Sequence, residues 1–265
     1  MNMYWVYELP SWLFGVLTIV VTVAVGLSGL CATRRWARRV HGDRHSHNEL
    51  VGYYLGAVCV FYGITLGLLA VAAWQTYSDV ETKVGEEAAA VGALYRDVSS
   101  LPEPNRVLLQ SDLRRYTRQI IDVAWPQQRQ GIIPQEEGVT LGALQTDLIR
   151  FEPMTESQKT IYAEAYRGFD QVAELRGRRL QSVHAGLAAP LWIVVWAGAF
   201  LNIAATWFFD MRSQAMHICM TVLLSALLGL LIYMLGALDK PFRGEISISP
   251  EPFEIMYVRR MQEGK

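Results

Sequence analysis

Four long apolar stretches occur along the chain as two closely spaced pairs, and a longer, more polar segment separates the pairs. A helix rises about 1.5 Å per residue and the hydrocarbon core of a bilayer is roughly 30 Å thick, so about 20 apolar residues can cross it. None of the four contains Asp, Glu, Lys or Arg, and we predict that each is a transmembrane helix. They are Trp12–Ala32, Val51–Ala73, Leu187–Phe208 and Met216–Leu238.

Helical periodicity continues beyond the second apolar stretch. Residues 75–101 contain no proline and carry one apolar stripe at steps of three and four, so we predict that the second transmembrane helix extends well past the membrane. Pro102 and Pro104 should stop it, because proline lacks the amide donor. A second helix is predicted from about Asn105 to Trp125, with Pro126 closing it.

The remainder of the polar segment also indicates helix. A short helix is predicted around residues 141–148, where leucines recur at helical spacing. Thr155 and Gln158 have the form of a capping box and predict the start of a long helix that continues into the third apolar stretch, with a kink at Pro190. Residues 245–249 alternate polar and apolar side chains, a strand signal for pairing with a neighbouring chain, although an extended tail on its own domain fits equally.

These patterns predict an all-α, polytopic membrane protein whose four transmembrane helices form two pairs flanking an extramembrane helical domain. The predicted parts are a first transmembrane pair at 1–73, a helical domain at 74–186, a second transmembrane pair at 187–238 and a C-terminal tail at 239–265.

Composition supports a membrane class and excludes others. Hydrophobic residues make up 52% of the chain and charged residues only 18%, with a net charge of -1. A chain with a net charge near zero has no positive electrostatic field that would bind nucleic acid, so we predict no nucleic acid partner. The high hydrophobic content predicts the lipid bilayer as a partner. The three cysteines lie in or beside apolar stretches without metal-ligand spacing, and we interpret them as buried thiols.

Charge near the membrane gives a weak orientation signal. The loop after the first helix is rich in arginine, which by the positive-inside rule predicts that residues 33–50 are cytoplasmic and residues 74–186 lie on the far side. The C-terminal tail, which would share that far side, carries nearly as many basic residues. The loop residues are Arg34, Arg35, Arg38, Arg39 and Arg44, and the tail residues are Lys240, Arg243, Arg259, Arg260 and Lys265.

Residues that could support catalysis are missing from the pattern. The four apolar stretches contain no Asp, Glu, Lys or Arg, so none of these ionisable side chains lies at membrane depth. The sequence also has no phosphate-binding loop, nucleophile elbow or HExxH motif. We therefore predict no enzyme and no cofactor. His41, Asp43, His45 and His47 could bind zinc or sense pH, but a solvated loop beside arginines is the simpler interpretation, and we predict no metal site.

The second transmembrane helix offers two distinct faces. One face has small-xxx-small spacing suited to close helix packing, and its residues are Gly52, Gly56, Gly63 and Gly67. The roughly opposite face could line a narrow hydrophobic pore that gates by dewetting, and its residues are Tyr54, Phe61, Thr65 and Leu68. Equally, this second face could meet lipid or the fourth helix.

The fourth helix should end at a defined motif. Its residues are Asp239, Pro241, Phe242 and Gly244, within the sequence Leu-Asp-Lys-Pro-Phe-Arg-Gly. Proline cannot continue the helix and glycine permits a turn, so we interpret the motif as structural.

This motif, together with three others, carries a resemblance to a known family. The others are Asn48-Glu49-Leu50-Val51-Gly52 opening the second helix, Glu87-Ala88 beyond it, and Arg176 with Arg179 before the third helix. With the order of helices, they make nearly the whole chain resemble an uncharacterised bacterial membrane family labelled bestrophin-like, and the Asp-x-Pro-Phe-x-Gly ending is the most specific part.

The resemblance implies similarity to bestrophins, which are pentameric ion channels, mostly anion-selective, whose second helices line the pore. It implies a homo-oligomer, inorganic ions as partners, a bacterial cytoplasmic membrane, and a helical domain in the cytoplasm, opposite to the arginine-based orientation. We carry over no neck or gate residue. The leading hypothesis is an oligomeric ion channel, and the alternative is a non-conducting membrane-anchored scaffold or sensor whose helical domain binds a partner.

Overall fold

The computed structural model describes residue 7 and residues 9–40, 44–211 and 213–262, and every regular element within these ranges is helical. The longer helices are α1 Ser11–Val40, α2 Arg44–Val98, α3 Asn105–Gln119, α4 Trp125–Arg129, α5 Glu136–Ile149, α6 Glu156–Gln181, α7 Ala189–Thr206, α8 Gln214–Asp239 and α9 Glu251–Met256. Irregular helical turns are the π-helical stretches Ile120–Ala124 and Tyr257–Gln262 and the 3₁₀ turn Ser182–His184.

Four helical stretches in the described ranges are long and apolar enough to cross a membrane: one lies in α1, one in α2, one runs along α6 and α7, and one is α8. The predicted all-α class and four transmembrane helices are therefore confirmed. The chain forms two compact units, one made of Met1–Gln75, Gly186–Asp239 and Gly244–Ile246, and the other of Thr76–Ala185, Lys240–Arg243 and Ser247–Lys265.

In the first unit, the main partner of α1 is α8. Small residues let the two backbones approach closely: a Cβ atom built at Gly229 would lie 2.8 Å from the Ile19 Cα atom. One turn earlier in α8, Ser225 lies against Gly26 of α1, where an added Cβ would be 2.5 Å from the Ser225 hydroxyl.

A second close contact joins α2 to α7. The ring of Tyr62 lies directly over Gly198, leaving no room for a Cβ atom there, and its hydroxyl donates to the Val195 carbonyl at 2.7 Å. Tyr62 belongs to an apolar cluster with Ala199 and Ile203 of α7 and with residues of α8. The intrachain packing glycines of this unit are thus on α1, α7 and α8.

The second unit encloses one apolar core. Its contributors are the distal part of α2, helices α3, α5 and α6, and the C-terminal segment with α9. The predicted capping box at the start of α6 is confirmed: Gln158 N donates to the Thr155 hydroxyl at 3.2 Å, and the Gln158 side chain accepts from Thr155 N at 3.3 Å.

Two predictions about chain breaks are wrong. Pro126 does not close a helix, because the wider π turn before it, in which Trp125 N donates to Ile120 O, lets the helix pass the proline into α4. The long helix does not kink at Pro190; it ends at Gln181, and Pro190 lies in the first turn of α7, where its missing amide costs nothing.

The strand predicted at residues 245–249 is also absent, and the alternative of a tail lying on its own domain is confirmed. Ile248 is buried in the core of the second unit. Its amide donates to the Pro241 carbonyl at 2.9 Å, and its carbonyl accepts from the Trp125 indole at 3.1 Å. Both backbone groups are therefore satisfied without a ladder.

Candidate functional site

The membrane part of α2 leaves most of its circumference uncovered within the chain. One stripe, which includes Tyr62, Leu66 and Ala73, is buried against the first unit's apolar cluster. At about 100° of rotation per residue, the predicted pore residues lie on one flank of that stripe and the predicted packing glycines on the other. The helix thus has one face for its own chain and two flanks that are open.

The predicted pore residues are mostly exposed in the chain. Phe61 is 73% exposed, Leu68 68% and Tyr54 60%. Thr65 is half-buried, and its hydroxyl donates to the Phe61 carbonyl at 2.9 Å. The hydroxyl proton is therefore used by the helix backbone and is not directed at a ligand. These positions are available to a pore, a lipid or a neighbouring chain.

The predicted packing glycines meet nothing inside the chain. A Cβ atom added at Gly52, Gly56, Gly63 or Gly67 would have open space within 4 Å. Their predicted packing role therefore requires a second chain and stays a prediction.

An apolar groove opens beside the first turns of α2. It encloses about 520 Å³ between the start of α2 and the end of α7, and its lining residues are Leu50, Val51, Tyr53, Tyr54, Leu201, Ala204, Ala205 and Phe208. Nearby, the Asn48 side chain clamps the α7–α8 connection: it donates to the Asp210 carbonyl and accepts from the Asp210 amide, both at 2.9 Å. The clamp gives the Asn48 motif a structural reason.

In the second unit, a charge cluster lies fully buried among α2, α5 and α6. Arg179 Nε donates to Glu87 Oε2 at 2.6 Å, and Arg179 Nη2 donates to Glu137 Oε2 at 2.7 Å. All three side chains have no exposed surface. Arg176, at the edge of the cluster, donates to Glu137 Oε2 at 3.2 Å, and the two arginines together balance the two carboxylates.

Neighbouring groups complete the cluster. The Tyr116 hydroxyl donates to Glu87 Oε1 at 3.2 Å, and the Arg179 guanidinium lies 5.9 Å from the centre of the Trp125 ring. Burial raises the pKa of Glu87 although Arg179 opposes it. Burial alone would lower the pKa of Arg179, but the carboxylates of Glu87 and then Glu137 raise it overall. The pair geometry keeps Arg179 charged, so the cluster acts as an internal brace.

The sequence motifs that contain Glu87, Arg176 and Arg179 thus meet in one cluster. Glu137, the fourth charged member of the cluster, belongs to none of the motifs found in the sequence. A signal for it existed. Glu137 precedes Leu141, Leu144 and Leu148 by helical steps of four, three and four, so it lies within the apolar stripe of α5 rather than on a polar face.

The C-terminal motif is also held by specific bonds. Asp239 is buried, and its Oδ1 atom accepts from the Leu187 amide at 2.6 Å while Oδ2 accepts from the Tyr7 hydroxyl at 3.2 Å. Gly244 has a φ of +82°, which side chains disfavour, and Phe242 is buried edge-on to Trp125. In these contacts the motif anchors chain segments.

We expect Asp239→Ala to reduce folded yield and melting temperature, because the half-buried Leu187 amide would lose its acceptor, a bond to a charged group that is worth about 1–3 kcal/mol. Asp239→Asn is the matched control, since its carbonyl can still accept that bond. Thermal unfolding of the detergent-solubilised variants measures the difference. If Asp239→Ala instead assembled normally but lost selective ion flux, Asp239 would belong to a conduction path.

The loop with the predicted histidine cluster lies outside the residues that the structure describes. His41 and Asp43 are not among the described residues, and neither are the side chains of His45 and His47. Elsewhere in the described ranges, no group of three or more His, Cys, Asp or Glu side chains is placed to hold a metal.

Comparisons with known proteins add a family and a fold. A family model described as "Bestrophin-like domain" matches residues 20–253. A variant of a bacterial bestrophin homologue from Klebsiella pneumoniae has a TM-score of 0.70 at 13% identity, covering 95% of this chain and 99% of its own. A zinc-phased structure of a Klebsiella pneumoniae bestrophin homologue gives 0.68 at 12%, covering 93% and 96%. Among curated proteins, none matches significantly.

Proposed function

The chain belongs to the bestrophin-like family, and from this premise we propose that it forms an oligomeric ion channel in which α2 of each subunit lines the pore. The observation that carries the proposal is that the apolar part of α2 is mostly left uncovered by the rest of its own chain. Among the 18 most apolar consecutive residues of α2, only 11% are buried within the chain. The corresponding segments of the first, third and fourth membrane stretches are 28%, 22% and 33% buried.

A ring of subunits would use each face of α2. The stripe with Tyr62 packs inside its own chain, the flank with the four glycines meets the neighbouring subunit, and the flank with Phe61 faces the axis. Small residues at a subunit contact allow close backbone approach. A narrow passage lined by Tyr54, Phe61, Thr65 and Leu68 would be mostly hydrophobic and would gate by dewetting.

The family supplies the finer expectations. Bestrophin homologues suggest a pentamer, inorganic ions as the transported species with anions favoured, and a bacterial cytoplasmic membrane as the location. The lipid bilayer covers the surfaces of α1, α7 and α8 that remain exposed.

We predict that Phe61→Ala raises ion flux above wild type in reconstituted liposomes. Truncating a ring of phenyl groups would widen the narrowest part of the passage and admit water. Ile193→Ala is the matched control, because Ile193 is a similarly exposed apolar residue on α7 and should leave flux unchanged. Flux should be measured for anions and cations separately at several pH values.

Two results would count against the channel. One is flux indistinguishable from empty liposomes for both wild type and a well-assembled Phe61→Ala variant. The other is a particle image of the detergent-solubilised protein without a symmetric ring around an axis. Either would favour the alternative, a membrane-anchored scaffold or sensor whose helical domain binds a partner.

Orientation is tested separately. The arginine-rich loop predicts that the helical domain lies outside the cytoplasm, so a single cysteine at Ser100, in a background without the three native cysteines, should react with an impermeant maleimide in intact cells. Ser100 is exposed. Labelling of that cysteine only after lysis, with a cysteine at position 47 labelled in intact cells, would reverse the orientation and match the bestrophin arrangement.

A further inference from the structure

Two aspartates meet where α3 packs on α5, away from the charge cluster. Asp147 on α5 neighbours Asp112 on α3, near enough for its carboxyl group to raise the pKa of Asp112. Asp112 is only 3% exposed. Its Oδ2 atom is enclosed, and within the described chain no donor reaches it. Two ionised carboxylates in such a place repel strongly, and a buried acceptor without a donor is costly.

The charges around the pair do not remove this problem. Arg115 Nη1 lies 3.6 Å from Asp112 Oδ1, and Arg150 Nη1 lies 3.1 Å from Asp147 Oδ1. Both arginine side chains are mostly exposed, at 65% and 74%, so water screens them. Both act on Oδ1 atoms and leave Asp112 Oδ2 without a partner. They would also repel a cation that entered between the carboxylates.

We propose that Asp112 and Asp147 share one proton, so that a carboxyl–carboxylate hydrogen bond joins α3 to α5 and is lost as the pH rises. The shared proton supplies the donor that Asp112 Oδ2 lacks. Because α5 also carries Glu137, the bond helps to position the helix that completes the charge cluster. This inference does not depend on channel activity.

The direction of the pH effect follows from linkage. Burial raises the pKa of Asp112, Arg115 partly lowers it, and the neighbouring Asp147 raises it again, with a net increase. A group whose pKa is higher in the folded than in the unfolded state adds stability that is present at low pH and lost as the pH rises through the folded value. The α3–α5 junction should therefore be weaker in alkaline solution.

Infrared spectroscopy of the full-length protein tests the proton directly. In acidic solution, on the low side of the raised pKa of Asp112, wild type should show the carbonyl stretch of a protonated carboxyl group that Asp112→Asn and Asp147→Asn both lack. Glu152→Gln, which removes an exposed carboxyl nearby in the sequence, should keep that band. A wild-type spectrum whose difference from both Asn variants contains no protonated-carboxyl band would overturn the proposal.

Melting temperatures provide a second measurement. The amide introduced by Asp112→Asn donates at every pH, so as the pH rises through the raised pKa of Asp112 the melting temperature of wild type should fall by about 2–4 °C relative to this variant. Should Asp112→Asn fail to fold, Asp147→Asn serves instead, because its position is less buried. A melting temperature that falls with a chelator in wild type, but not in the variant, would indicate a bridging metal ion and contradict the shared proton.

Discussion

Arg179→Ala is expected to lower the free energy of unfolding by about 3–5 kcal/mol, a shift on the order of 10 °C in melting temperature. The substitution leaves Glu87 and Glu137 buried, close together and without the guanidinium that now bonds to both. Removing that positive charge should raise the pKa of Glu87 further, since Arg179 currently opposes the effect of burial.

The pH dependence of this variant gives an independent check. A carboxyl whose folded pKa is raised contributes stability that disappears as the pH rises, so Arg179→Ala should be most defective in alkaline solution and partly recover in acid. Adding Glu87→Gln to the variant should recover part of the loss at every pH, because one buried charge is removed. These measurements need only thermal unfolding of detergent-solubilised protein.

Arg178 is the matched control. It is the preceding residue on α6, but its side chain is 53% exposed and pairs with Glu174 on the surface. Arg178→Ala should change the free energy of unfolding by less than about 1 kcal/mol. Equal losses for Arg178→Ala and Arg179→Ala would show that helix propensity or general charge, rather than the buried cluster, stabilises this region.

Gly198→Leu should abolish accumulation of the folded chain. The Tyr62 ring occupies the space that any side chain at position 198 would need, and Tyr62 is fixed by its bond to the Val195 carbonyl. Overpacking of this kind costs about 1–3 kcal/mol or more and forces backbone shifts. Size-exclusion chromatography of a fluorescently tagged variant, followed by circular dichroism, would measure the loss.

Gly63→Leu makes an informative comparison. A side chain at position 63 meets nothing inside the chain, so the single subunit should fold while the assembly is damaged at the predicted subunit contact. Chromatography should then show folded protein of smaller size. A Gly63→Leu variant that assembles like wild type would remove this glycine flank from the subunit interface.

The membrane helices could be predicted because their signal is local. Apolar length alone located all four, and Thr155 with Gln158 identified the start of α6, since a capping box is a four-residue pattern. Breaks were predicted less well. Pro126 follows a π turn that absorbs the missing donor, and nothing in the neighbouring residues announces such a turn.

The candidate sites show the same limit at longer range. Faces of α2 follow from helical geometry, but which face packs within the chain depends on Gly198, far away in the sequence. Likewise Glu87 and Arg179 were noticed only through the family resemblance, and their partner Glu137 was not noticed at all. Pairings between distant segments are set by tertiary packing, which a single sequence does not display.

The pairing of α1 with α8 has a consequence for biosynthesis. Because a chain emerges from the ribosome amino-terminus first, α1 enters the membrane before its principal neighbour α8, which is the last in chain order of the four described membrane helices. Until then, the small residues that later receive α8 must face lipid or a temporary neighbour. Packing of α1 in the bundle is therefore completed late. A nascent chain released before α8 is made would leave α1 without its packing partner, and we expect such a chain to be degraded.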